Sequence, residues 1–273
     1  MTMDGALLNT AISSLYFASS VFLILFISGA TPAWTRRAGF VLGVAGFAAH
    51  TAQIAVLLFS GGTLAGGLAR SLFLFSWFTA IAFLCLGRRA RKSSLGAFVF
   101  TLAFIATLPS AIPSGGGAEG GLVMMPLIRT HVALILLGMA FFFIAFVAAL
   151  LYLFREKRIK SGSLPEDRDN SLLPIVGLDR VQHITLFCGF PLVTLGIALG
   201  FLSASQAWGA DWLWGKKETF SVATWLIYAV LINGRLAHGW RGRKSSFGAI
   251  AGFIAAAAVF FASYYLIPGR HTF

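Results

Sequence analysis

The sequence predicts an all-α polytopic membrane protein of about eight transmembrane helices, with both termini extracytoplasmic. Three observations predict it. Hydrophobic residues make up 58% of the 273 and charged residues only 11%, whereas a soluble domain is about a quarter charged. Apolar runs of about twenty residues, enough to cross a bilayer as a helix, recur from end to end. The basic residues fall in short clusters between those runs, which is the pattern of cytoplasmic membrane loops. The formal charge of +12 therefore points to a lipid bilayer surface and not to nucleic acid.

The spans fall at about Leu8–Gly29, Gly39–Ser60, Leu68–Leu86, Leu95–Ile112, Leu127–Phe154, His183–Leu202, Thr219–Leu236 and Phe247–Ile267. Helices are expected because each must satisfy its own backbone polar groups in lipid, and the alternating strands of a barrel are missing. The first run has no positive region before it (Met1-Thr-Met-Asp4), so it reads as a retained span and not a cleaved signal. One set of loops holds Arg36, Arg37, Arg88, Arg89, Arg91, Lys92, the run from Arg155 to Arg180, and Arg235 to Lys244. The other holds only Arg70, Arg129, Lys216, Lys217 and Arg270. The excess places the first set in the cytoplasm of a bacterial-type inner membrane. The cytoplasmic stretch from Arg155 to Arg180 is expected to be the longest and least ordered. The whole chain, 1–273, reads as a single integral-membrane domain.

The loop from Gln206 to Thr219 is then extracytoplasmic. It sets Trp208, Trp212 and Trp214 among Gly209, Gly215, Lys216, Lys217 and Glu218. Indoles settle at the water–lipid boundary because an apolar ring carries an N–H that wants a partner. An ordinary aromatic belt is one reading. Three rings so close together also suit a flat shelf for a large planar ligand. The nearby glycine-rich connection from Pro113 to Pro126 is on the same side.

None of the acidic residues falls mid-span, which argues against an ion-coupled transporter. No phosphate-binding loop, hydrolytic triad or Cys-x-x-Cys-His is present, and Cys85 and Cys188 lie in apolar runs, where small buried side chains are expected. The histidines carry more. His131 lies about one turn inside the outer end of the fifth span, and His271 just beyond the outer end of the eighth. Both face the side of the Trp loop and can reach the two faces of one planar ligand, as imidazoles do at a haem iron. Interfacial histidines bonded to water or backbone are the alternative. His50 falls near the middle of the second span. It reads either as a hydrogen-bonded ring (to Thr51, Gln53 or a neighbouring helix) or as a transmembrane haem ligand. His183 and His238 sit solvated at cytoplasmic ends, and Trp34, Trp77, Trp225 and Trp240 are packing or interface residues.

Trp208-Gly-x-x-Trp212-x-Trp214 followed by Lys217-Glu218-Thr219 resembles the tryptophan-rich signature of the cytochrome c assembly family, which includes CcsA (ResC), CcmC and CcmF. Gly189-Phe-Pro-Leu-Val-Thr-Leu-Gly-Ile197, Gly239-Trp-Arg-Gly-Arg-Lys244, Thr130-His131-Val132 and Pro268-Gly-Arg-His271 agree with it. The resemblance is specific from Leu127 to Phe273; earlier, only the hydropathy agrees. It implies non-covalent haem b in the Trp loop, with His131 and His271 as axial ligands to the iron. Trp208, Gly209, Trp212, Trp214, Lys217 and Glu218 would form the haem-binding loop. It also implies a haem-lyase subunit, not an enzyme acting alone, working beside a ResB-type membrane subunit on apocytochrome c. Two departures stand out. Gly215 and Lys216 replace the usual Asp and Pro, and Asn233 stands near where CcsA proteins tend to carry a histidine. Both departures also suit the HemX-type branch, eight-span regulators of haem biosynthesis acting on the abundance of glutamyl-tRNA reductase. The partner would then be a haem-biosynthesis enzyme.

Overall fold

The computed structural model describes residues 3–29, 31–59, 67–86, 94–112, 126–162, 173–208 and 215–265. All regular structure among them is helical: α1 (Met3–Ile27), α2 (Trp34–Phe59), α3 (Gly67–Cys85), α4 (Leu95–Ala111), α5 (Pro126–Lys160), α6 (Ile175–Trp208), α7 (Lys216–Ala237) and α8 (Arg243–Tyr265). Seven are long and apolar enough to cross a membrane, and α4, with 17 residues, is the short one. The chain is a multi-pass membrane protein.

Each expected span has its helix, but several helices outrun the apolar segment that predicts them. An apolar run marks the part inside lipid; the helix itself continues wherever good helix formers follow. α5 extends past Phe154 through Arg155-Glu-Lys-Arg-Ile-Lys160, where Glu156 and Lys160 pair at 2.8 Å one turn apart. At 35 residues it is about 52 Å long. α6 begins at Ile175, eight residues before the expected start at His183. Both ends of the cytoplasmic stretch expected to be the longest and least ordered are therefore helix. Its centre, 163–172, and the glycine-rich stretch 113–125 lie outside the described residues.

The chain forms two compact units. The first comprises Met1–Leu64, Leu68–Gly117 and Phe154–Leu178, and so holds α1 to α4. Small and hydroxylic residues let α1 lie close to its neighbours. Ser19 Oγ donates to the Gly39 carbonyl of α2 at 2.7 Å, and a Cβ at Gly46 would come within 3.1 Å of the Tyr16 ring. Against α4, Asn9 Nδ2 donates to the Ser110 carbonyl (2.9 Å), Ser13 pairs with Thr107 (2.9 Å) and Ser20 with Thr101 (2.6 Å). Gly43 gives up its side-chain space to the Phe100 ring, which stacks on Tyr16. In lipid, close backbone approach and interhelical hydrogen bonds take over the role that burial plays in water.

The second unit comprises Ala65–Gly67, Ala118–Leu153 and Asp179–Phe273. Its core holds Phe142, Ala145, Ala149, Leu186, Val193, Tyr228, Leu231, Ala249 and Ala256, with Phe142 stacked on Tyr228 at 3.6 Å. α5 and α6 run antiparallel along a glycine seam. A Cβ at Gly138 would lie 3.0 Å from the Gly189 carbonyl, and one at Gly189 would lie 3.0 Å from the Gly138 carbonyl. The seam continues with Ile135 against Gly196 and His131 against Gly200. α7 runs antiparallel to α6, with Trp225 Nε1 donating to Thr194 Oγ1 at 2.9 Å. α8 returns beside α7 with Gly252 at Tyr228 and Gly248 at Leu231.

Candidate functional site

That antiparallel order collects four helix ends at one end of the second unit: the starts of α5 and α7 and the finishes of α6 and α8. His131, in the second turn of α5, is at this end. Its Nδ1 lies 2.6 Å from the Gly196 carbonyl oxygen. A carbonyl only accepts, so Nδ1 carries the proton and the lone pair of the neutral ring is on Nε2. Gly200, one turn further along α6, faces the imidazole: a Cβ there would come within 2.7 Å of Cε1 and 2.8 Å of Nδ1.

The Trp loop joins α6 to α7 at the same end. Trp208 is the last residue of α6, about 12 Å beyond Gly200 along the helix. Gly209, Trp212 and Trp214 lie outside the described residues, as does the side chain of Lys217. Glu218 closes the start of α7, its Oε2 accepting the Gly215 N–H at 3.0 Å. This is the half of a capping box in which the third helical residue reaches back; glycine has no side chain to return it. Thr219 adds a hydroxyl bond to the Gly215 carbonyl at 3.0 Å. His271 lies outside the described residues, six positions beyond the end of α8 at Tyr265.

His50 belongs to the first unit and is fully buried. Its partner is neither Thr51 nor Gln53 but Tyr16 on α1, whose hydroxyl lies 3.3 Å from Nδ1. Among the described residues Nε2 has no hydrogen-bond partner, and the Phe73 ring lies 4.0 Å from the imidazole, centroid to centroid. Thr51 instead accepts the indole N–H of Trp77 at 2.9 Å. Asn233 lies on an exposed face of α7, away from the core residues Leu231 and Ile232.

A polar cluster that the sequence reading missed lies at the opposite end of the second unit. Arg235 Nη2 contacts both Asp179 oxygens at 3.1 and 3.2 Å, and Nη1 donates to Ser245. Asp179 Oδ1 also accepts the Gly242 N–H at 3.0 Å. Gly242 is in the left-handed region (φ 61°), so one carboxylate ties α6, α7 and the α7–α8 turn together. The available signal was Arg235 itself: a guanidinium inside an apolar run needs a carboxylate, and few acids are near enough.

Relatives were found by sequence. A cytochrome c biogenesis protein CcsA of Picosynechococcus is 38% identical over 96 residues, 35% of this chain and 28% of the relative. That of Gloeobacter violaceus is 36% identical over 96 residues, with the same shares. That of Heterosigma akashiwo is 34% identical over 113 residues, 41% of this chain and 35% of the relative. The chain thus spans about a third of the length of these curated relatives. No solved structure matches. The family model described as "Cytochrome C assembly protein" matches residues 38–271. The match reaches well into the first unit, where the sequence itself offered only hydropathy, and takes in His50, His131, the Trp loop and His271. On that match the chain belongs to the cytochrome c assembly protein family.

Proposed function

We propose that this protein acts in cytochrome c biogenesis by holding haem b non-covalently at the end of the second unit where α5, α6, α7 and α8 meet. The observation that carries the reading is the His131 hydrogen bond. A ring that donates Nδ1–H to a backbone carbonyl has its tautomer and orientation fixed and presents Nε2 as the ligating atom, as metal-bound histidines usually do. The donor set therefore fits an iron porphyrin. α8 finishes at the same end as His131, which supports His271 as the second axial ligand.

In this reading Trp208, Trp212 and Trp214 cover the ring faces and exclude water, and Gly209 admits close approach of the backbone. Lys217 pairs with a propionate, with Lys216 and Arg270 in reserve. Glu218 fixes the point where the loop enters α7. When bound, haem supplies the vinyl groups to which the cysteines of apocytochrome c are joined; this chain contributes position and orientation. A ResB-type membrane subunit is the proposed partner. The basic clusters at the Arg235 end favour the cytoplasm for that end, which puts the Trp loop outside. His50 is the candidate for a transmembrane ligand, because its Nε2 is buried without a hydrogen-bond partner among the described residues.

The test is the spectrum of the purified protein and its retention of added haem. Two axial imidazoles give a low-spin spectrum that His131→Ala and His271→Ala each abolish. Unchanged retention in the double variant refutes the site. The stated role of the relatives supports this reading ahead of a HemX-type regulator. Deleting the gene should stop c-type cytochrome maturation and leave haem-precursor levels unchanged.

A further inference from the structure

We infer that Gly196 and Gly200 are positioning residues for His131: together they form a slot on α6 that holds the imidazole in one tautomer and one orientation. The inference deepens the haem reading and rests on it for its consequence, but the slot itself is a property of the protein alone.

The two glycines are one turn apart on the face of α6 that meets α5. At Gly196 the missing side chain lets the α5 backbone come in, since a Cβ would lie 3.2 Å from the Ile135 amide nitrogen and 2.8 Å from its Cδ1. That approach brings the Gly196 carbonyl to 2.6 Å from His131 Nδ1. At Gly200 the missing side chain leaves the space that the imidazole edge occupies. Glycine lowers helix stability relative to alanine where nothing else uses its bareness. Here both are used by a single ring.

The two positions differ in what a methyl group would strike. At Gly196 it meets the Ile135 side chain first (Cδ1 at 2.8 Å) and then the Ile135 backbone nitrogen at 3.2 Å, so α5 itself must give way by a few tenths of an ångström. At Gly200 its three nearest atoms all belong to the His131 ring, the far end of one side chain, which can swing aside about χ1 and χ2 while the helices stay packed. Swinging aside breaks the bond to the Gly196 carbonyl and releases the tautomer. Gly200→Ala therefore separates ring position from folding, and Gly196→Ala does not.

The experiment compares the full-length protein, Gly200→Ala, and Gly177→Ala as a control for helix propensity. A Cβ at Gly177 on α6 meets its nearest atom at an ordinary 3.5 Å. Two quantities are read. The first is the 15N NMR signature of His131 in haem-free protein in nanodiscs, assigned by its loss in His131→Ala. The second is the affinity for added haem with its optical spectrum. The unaltered protein and Gly177→Ala should show a single tautomer protonated at Nδ1. Gly200→Ala should keep its helix content, show mixed tautomers, and bind haem about ten- to a hundredfold more weakly. Added free imidazole should restore its low-spin spectrum. If Gly200→Ala keeps the single tautomer, the slot is refuted whatever haem does. If the tautomer changes while haem affinity and spectrum stay unaltered, the haem consequence is refuted. If the unaltered protein binds no haem, the proposed function fails, and the tautomer still decides the slot.

Discussion

Replacing Asp179 by alanine removes the carboxylate shared by three elements of the second unit. The Arg235 side chain is 3% exposed and that of Asp179 20%, so the guanidinium has almost no water to fall back on. Breaking a buried pair by deleting one partner costs about 3–5 kcal/mol because a charge is left uncompensated. Partial exposure of Asp179 puts this pair near the lower figure. The Gly242 N–H also loses its acceptor, worth about 1 kcal/mol, in a turn whose left-handed glycine leaves few alternatives. Asp179→Asn keeps an acceptor and loses the charge, so it should cost about half as much. In Asp179→Ala with Arg235→Met no charge is stranded, and the double variant should be more stable than Asp179→Ala alone. Unfolding in mixed micelles by SDS titration gives all the stabilities, that of Arg235→Met alone included. Equal stability of Asp179→Ala and the unaltered protein refutes the reasoning, as does a double variant whose loss is the sum of the single losses.

Neighbouring contacts give further outcomes. Gly43→Ala drives a methyl group into the Phe100 ring and should destabilise the first unit by about 1–3 kcal/mol, measured by the same titration. Tyr16→Phe leaves His50 without a partner among the described residues on either ring nitrogen and should cost about 1–3 kcal/mol; His50→Phe in that background should recover part of it. Glu218→Ala uncaps α7 and should weaken it by about 1 kcal/mol, seen as faster amide exchange in its first turn. Exchange unchanged at Lys216 to Thr219 would contradict the capping role.

Hydropathy made the helices legible because the bilayer imposes one length and one composition on anything that crosses it. It failed at their ends, where Arg155 to Lys160 and Ile175 to Gln182 continue as helix outside that constraint. His131 could be singled out because its place in the fifth span and its motif are both one-dimensional facts. Its bond to Gly196, sixty-five residues away, is not, since which faces of α5 and α6 meet depends on glycines scattered along both. The Asp179–Arg235 pair was hidden for a similar reason: the end of the apolar run at His183 put Asp179 in a loop, where a carboxylate needs no partner. For His50 the sequence supplied the need for a hydrogen bond and a neighbouring helix among its possible sources, but not the residue. Only the packing of α1 on α2 brings up Tyr16.

The hydroxyl and amide rungs between α1 and α4 bear on how this protein is made. Oily side chains give a newly inserted helix no reason to prefer another helix over fatty acyl tails. Asn9, Ser13 and Ser20 do give one, since hydrocarbon cannot answer their polar atoms and α4 can. Partner choice in this half of the chain is thus written in its least greasy letters, and sorting among inserted segments proceeds by matching them.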